Sequence, residues 1–216
     1  MDSGGFNGNV VISIHGIFGT VYPHYPLVNQ LEKLGYETLL FDYSSWKSIE
    51  EIAQELSKFI DEHDPGKFPV ILIGHSAGGR IALECKHASI KGIITIASPI
   101  NGSYLASWVC NLPIASRMLT DLAQPWKGEV TVLLVCISTS FYGSFDGRMW
   151  ASEMVHEKAN ENLHLNYSNH SGLQMVDPRM RKLIISGLNH IVSEAFPILL
   201  KPDGTPYFEG ELVPKK

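Results

Sequence analysis

Residues 69–79, Pro-Val-Ile-Leu-Ile-Gly-His-Ser-Ala-Gly-Gly, set a Gly-x-Ser-x-Gly pentapeptide between a buried-strand pattern and a helix start. No other junction in the chain restricts the fold as much. A serine on so tight a strand-to-helix turn projects Oγ out of the end of a sheet, and only glycine at 74 and 78 leaves room for the neighbouring backbone. A chain of this glycine and serine content shows about 0.1 such pentapeptides by chance, so the flanking strand and helix carry the weight. The plain alternative is a glycine-rich turn with a solvated serine.

Around that junction, apolar β-rich runs at 9–14, 37–41, 70–73, 92–97, 130–137 and 163–167 alternate with helical patterns at 26–34, 48–59, 77–86 and 178–195. Gly35 suits a left-handed helix terminus. Ser48-x-x-Glu51 opens the second helix as a capping box, ahead of Ile52, Leu56, Phe59 and Ile60 on one face. Strands that are continuously apolar imply burial on both sides. The expectation is a single α/β domain over 1–216, with a compact, mostly parallel sheet of six strands flanked by helices. Active groups then gather at the carboxyl ends of the strands.

Two stretches stand outside the alternation. Residues 99–128 carry more apolar surface than one crossover helix needs, including Trp108, Leu112, Met118 and Trp126. They read either as a cap over the site or as a helix with a long packed connection. Residues 197–216, with Lys201-Pro202-Asp203-Gly204, read as an extended C-terminal arm.

At 216 residues, 44% hydrophobic and 18% charged, the chain buries one sizeable core and is neither fibrous nor disordered. A net charge of −5 leaves no footprint for nucleic acid or an anionic membrane, so small-molecule substrates fit better. Three cysteines, 85, 110 and 136, are an odd set and read as reduced thiols. The amino terminus lacks a basic and apolar leader pattern, and no apolar run is long enough to span a bilayer, which makes a cytoplasmic protein the expectation. No His/Cys/Asp spacing resembles a metal site, and no cofactor is called for.

A serine nucleophile needs a base, a group that orients the base, and donors for the oxyanion. Directly after the first strand, His15-Gly16-Ile17-Phe18-Gly19 lets backbone amides turn toward a neighbouring strand end. The Ile17 amide, paired with that of Ala77 at the start of the post-serine helix, makes a two-donor oxyanion hole. His15 itself reads as a packed histidine inside that turn. For the acid, Asp146 follows the 130–137 strand in a Gly-flanked turn, where the alternative is an ordinary Asp-Gly turn. Asp121, Asp177 and Asp42 are weaker candidates, Asp177 because it caps the last helix. His170 follows the last strand and precedes the last helix, where a loop can lay imidazole over Ser76. His156, His164 and His190 sit on elements where histidines are more often structural. Phe18 and His75, beside the two donors, are read with Trp108, Leu112 and Met118 as substrate contacts.

In this order, Ser76, Asp146 and His170, with His15-Gly16-Ile17 upstream, the chain resembles the α/β-hydrolase superfamily, and more narrowly its small lipase/esterase branch. The resemblance spans nearly the whole chain. It is carried by His-Gly-x-x-Gly after the first strand, Gly-His-Ser-x-Gly-Gly at the nucleophile elbow, Ala97-Ser98-Pro99-x-x-Gly102-Ser103, Ser144-x-Asp146 and His170-Ser171-Gly172-Leu173. It implies a catalytic triad of Ser76, Asp146 and His170 with an oxyanion hole of Ile17 and Ala77, acting on a small-molecule ester with an apolar acyl group, as in lipid metabolism. Thioesterase, amidase or acyltransferase chemistry runs on the same triad, and a non-catalytic binding protein of this fold is the other class. Two departures stand out: the first two strands of the eight-stranded family sheet are missing, and Ala77 occupies a place where many lipases carry Met or Leu.

Overall fold

The computed structural model describes residues 9–63, 68–112, 115–142, 144–170 and 175–195. The expected arm at 197–216 lies outside them. Six strands form one sheet: β1 (Val10–Ile14), β2 (Glu37–Phe41), β3 (Val70–His75), β4 (Ile90–Ile96), β5 (Leu133–Ser140) and β6 (Glu161–Asn166). Their order is β2-β1-β3-β4-β5-β6 and every pairing is parallel. Parallel neighbours require crossovers. Three helices supply the first of them, α1 (Tyr25–Lys33), α2 (Ile49–His63) and α3 (Ala77–Glu84), while α6 (Pro178–Ala195) follows the last strand and covers the sheet.

The apolar runs explain the layering. Side chains alternate across a strand, so Val10, Ile12, Val70 and Leu72 pack on one face against Ile52, Leu56 and Ile60 of α2 and Ile81 of α3. Val11, Ile71, Ile73 and Ile94 pack on the other against Leu27 and Leu31 of α1 and Ile184, Leu188 and Ile191 of α6. Most of these side chains are completely buried. Each contributes about 1.5 to 3 kcal/mol of transfer free energy, which no polar strand face could supply.

Local signals act as their chemistry requires. The Ser48 hydroxyl accepts from the Glu51 amide at 3.2 Å while the Glu51 carboxylate accepts from the Ser48 amide at 2.8 Å. Gly35 ends α1 at φ +87°. Asp177 caps α6, its carboxylate accepting from the Arg179 amide at 2.8 Å. Cys85 and Cys136 are buried free thiols and Cys110 is half-buried and free. Burial pushes the Cys85 thiol up to about 12 and, against weaker hydrogen bonds, that of Cys136 up to about 11.

The fifth strand departs from the hydrophobic pattern. Expected over 130–137, it starts at Leu133 and runs through Ser138, Thr139 and Ser140, paired to His164, Leu165 and Asn166 of β6. These hydroxyls are tolerated in the ladder because each is bonded: Ser138 to the Leu163 carbonyl at 3.1 Å, Thr139 to Asp146 at 2.9 Å and Ser140 to the His164 ring at 2.9 Å.

The apolar surplus of 99–128 divides in two. Helix α5 (Arg117–Leu122) is part of the core, with Met118 and Leu122 buried among the α2 and α3 side chains. Asp121 there accepts from the Ile49 amide at 2.8 Å and so caps α2, and Arg117 pairs with Glu51. The Arg80 guanidinium donates to the carbonyls of Pro99 and Gln124, at 2.8 and 2.9 Å, which ties both ends of the segment to α3. Helix α4 (Tyr104–Val109) is the exposed half, with Tyr104 and Trp108 open to solvent. Among the described residues no helix is long and apolar enough to cross a membrane.

Candidate active site

The site begins at the end of β3. Ser76 sits between His75 and α3 with φ +53° and ψ −122°, a conformation that L residues adopt only under strain. The surroundings enforce it. A Cβ on Gly74 would lie 2.4 Å from the Gly78 backbone, and one on Gly78 would lie 2.4 Å from the Ile14 carbonyl. The Ser76 amide is spent on the Ile96 carbonyl at 2.8 Å, so the side chain is what leaves the sheet.

Ser76 Oγ meets His170 Nε2 at 2.9 Å, and His170 Nδ1 meets Asp146 Oδ2 at 2.8 Å. All three are buried to more than nine-tenths. The second Asp146 oxygen accepts from the amides of Arg148 and Met149 at 3.0 and 2.8 Å. Burial alone would push the Asp146 carboxyl up, but the His170 hydrogen bond and charge, with those two amides, hold it below the usual carboxylate range. An ionised acceptor on Nδ1 leaves Nε2 free to take a proton from Ser76.

The turn after β1 faces the serine. The Gly16 carbonyl accepts from the Gly19 amide at 3.0 Å, and the Phe18 amide donates to Ser45 Oγ at 2.8 Å. Among the described residues, the amides of Ile17 and Ala77 donate to no other group of the protein, and that of Ala77 opens α3 with its positive dipole end. His15 lies underneath, its nitrogens bonded to the Gly16 carbonyl at 2.7 Å and to Asp42 at 2.8 Å and its ring stacked on Tyr43, so it has no nitrogen left for a substrate.

Ser76, His170, His75, Ile17 and Arg148 line a cavity of about 220 Å³. Larger hollows of about 550 and 800 Å³ lie at the amino ends of β4 and β5, the wrong end of a parallel sheet for chemistry. His75 is buried, and burial first, then the charges of His170 and its neighbours, hold it well below its ordinary pKa. It is neutral at physiological pH.

The expected substrate contacts separate. Trp108 lines an apolar pocket of about 260 Å³ with Tyr104, Leu105, Phe145, Gly147 and Trp150, and Arg148 is common to that pocket and the serine cavity. Met118 is a correction: it is fully buried in the core because α5 turns inward. Leu112 is also a correction, since it is half exposed and borders neither hollow. Phe18, at φ +51°, stands outside the cavity edge-on to Trp46. His164 is held by the Ser138 and Ser140 hydroxyls and His190 faces Glu161 at 3.6 Å, both away from Ser76. Among the described residues no cluster of three or more His, Cys, Asp or Glu side chains could hold a metal ion.

Sequence reasoning passed over Thr139, Arg148 and Glu153. Glu153 accepts from the amides of Tyr104 and Trp150, both at 2.7 Å, and so joins the two walls of the apolar pocket. Only Arg148, two residues beyond Asp146, carried a usable signal: a cation beside a candidate acid.

Strand order and elbow place the Ser76–His170–Asp146 chain at the carboxyl edge of a parallel α/β sheet. The family model for the alpha/beta hydrolase family matches residues 11–202, and the chain belongs to that family. No curated protein matches the chain by sequence. Among solved structures, a mature lipase of Bacillus licheniformis superposes with a TM-score of 0.67 at 15% identity, covering 87% of this chain and 93% of that one. A metagenomic carboxyl esterase gives 0.64 at 15% identity over 90% and 77%, and a thioesterase of the prodiginine pathway of Streptomyces coelicolor gives 0.60 at 10% over 85% of each. These likenesses share the fold, six parallel strands flanked by helices in this chain.

Proposed function

We propose that this chain is a carboxylic ester hydrolase of lipase or esterase type that works through an acyl-enzyme. Ser76 Oγ attacks the acyl carbonyl as His170 Nε2 takes its proton, Asp146 holds the imidazole tautomer, and the amides of Ile17 and Ala77 receive the developing oxyanion. His170 returns the proton to the leaving alcohol, and water, activated by the same imidazole, releases the acid. The observation that carries the reading is the unbroken chain of 2.9 and 2.8 Å contacts from Ser76 through His170 to a buried carboxylate whose other oxygen is fully bonded. In this reading 99–128 caps the site only through α4, with α5 as core.

A fluorophosphonate probe followed by peptide mapping tests it together with hydrolysis of p-nitrophenyl butyrate. Labelling at Ser76 that blocks turnover is the expected result. An unlabelled Ser76 in folded protein, or full turnover by Ser76→Ala, overturns it.

A further inference from the structure

Among the described residues, Arg148 is the one that borders both the serine cavity and the apolar pocket beside it. Its guanidinium is exposed and, among the described residues, makes no ion pair or hydrogen bond, whereas its main-chain amide is fixed on Asp146 at 3.0 Å. The backbone therefore fixes where Arg148 leaves the chain, at the mouth of the site, and leaves its cation without a bonded counter-charge among the described residues.

The nearby carboxylates are engaged elsewhere. Among the described residues no Asp or Glu lines either hollow. Asp146 is wholly buried and spent on His170, Thr139 and two amides. Glu153 is spent on the amides of Tyr104 and Trp150, and Asp42 on His15. The mouth thus presents a guanidinium that no carboxylate of the described residues bonds, where an anion gains a charge-assisted and potentially bidentate partner. The walls next to it are aromatic. Tyr104, Trp108, Phe145 and Trp150 form a hollow already braced by Glu153, sized for a short chain or one ring.

We propose that the site selects esters that carry a carboxylate next to an apolar portion, with Arg148 reading the charge and the α4 pocket seating the apolar portion. This rests on Ser76 as the nucleophile and adds the substrate class. Arg148 acts by binding, since its guanidinium takes no part in the proton transfers.

The test compares kcat/KM for charged and neutral esters in two arms. Para-acetoxybenzoate against para-acetoxybenzamide puts the charge on the leaving group, and mono-(p-nitrophenyl) adipate against p-nitrophenyl pentanoate puts it on the acyl side. In at least one arm the wild type should prefer the anion by about ten-fold, which identifies the side on which Arg148 acts. Arg148→Gln should abolish that preference, Arg148→Lys should restore part of it, and salt near 1 M, where the Debye length is about 3 Å, should suppress it. Because the main-chain bond to Asp146 survives both substitutions, a change in the charged-to-neutral ratio reports the guanidinium. Equal rates in both arms, or a preference that persists in Arg148→Gln, overturns the proposal. If Ser76 resists fluorophosphonate and no ester is cleaved, the nucleophile reading fails separately. Calorimetry with para-acetamidobenzoate and para-acetamidobenzamide then decides the question for Arg148: tighter binding of the anion that vanishes in Arg148→Gln sustains it, and equal binding refutes it.

Discussion

Thr139 Oγ1 donates to Asp146 Oδ2 at 2.9 Å, the same oxygen that accepts from His170 Nδ1. Thr139 is buried near the end of β5, so its hydroxyl sets the carboxylate from the sheet while the Arg148 and Met149 amides set it from the loop. Thr139→Val keeps the shape and removes the donor. Its kcat should fall about ten-fold with little change in KM, and stability should drop by about 1 to 2 kcal/mol as a buried acceptor loses a partner. Thr139→Ser should recover most of the kcat. A valine variant with wild-type kcat would refute the positioning role.

Ser76 carries strain that glycine would not. At φ +53° and ψ −122°, alanine keeps the unfavourable contacts of Cβ with the backbone, whereas glycine is released from them at the cost of a looser unfolded chain. Ser76→Gly should therefore unfold in urea at higher concentration than Ser76→Ala, by about 1 kcal/mol, with both inactive. Equal or reversed midpoints would mean that the turn is relaxed.

Acid should weaken the fold well above the pH at which carboxylates titrate. His24 is buried against Ser13 Oγ at 2.6 Å, and burial, aided by the charge of His15, lowers its pKa from 6.5 to about 4. Between those values the unfolded chain binds a proton that the native state refuses. Stability is thus fully present above about pH 6.5 and declines as pH falls toward 4, by about 3 kcal/mol for His24 alone. His75 acts with the same sign. Asp146, held below its ordinary 3.8, contributes stability that is lost only as pH falls through its lower native value. Urea melts at stepped pH should show the decline, and His24→Gln should make it shallower. An unchanged slope in that variant would show that His24 titrates normally.

How far the sequence speaks depends on how local the cause is. Strand and helix identity followed from apolar runs, and the elbow from its two glycines, Gly74 leaving room for the backbone of Gly78 four residues on and Gly78 for the Ile14 carbonyl of the neighbouring strand. Ser76, Asp146 and His170 were nameable because each follows a strand of a parallel sheet, and such a sheet gathers its strand ends at one edge. Met118 was misread for the opposite reason: an apolar side chain after a strand end looks the same whether its helix turns to the cavity or, as α5 does under Asp121 and Arg117, to the core. Thr139 and Glu153 depended on partners brought together by tertiary folding, 7 residues away for Asp146 and 49 for Tyr104.

Trp108 should set how the enzyme responds to acyl length. It stands 72% exposed on α4 and forms one wall of the 260 Å³ pocket, open on its outer side. A methylene that is fully buried gains about 0.8 kcal/mol, and in a hollow this open roughly half of that is realised, so kcat/KM should rise about two-fold per methylene from acetyl to butyryl p-nitrophenyl esters and level off by octanoyl. Trp108→Ala should flatten the rise. Leu112→Ala, outside the pocket, should leave it intact, and Met118→Ala should instead cost about 2 to 5 kcal/mol of stability through the cavity it leaves in the core. A flat wild-type series, or an equal slope in Trp108→Ala, would place the acyl chain elsewhere and reduce the aromatic pocket to surface packing.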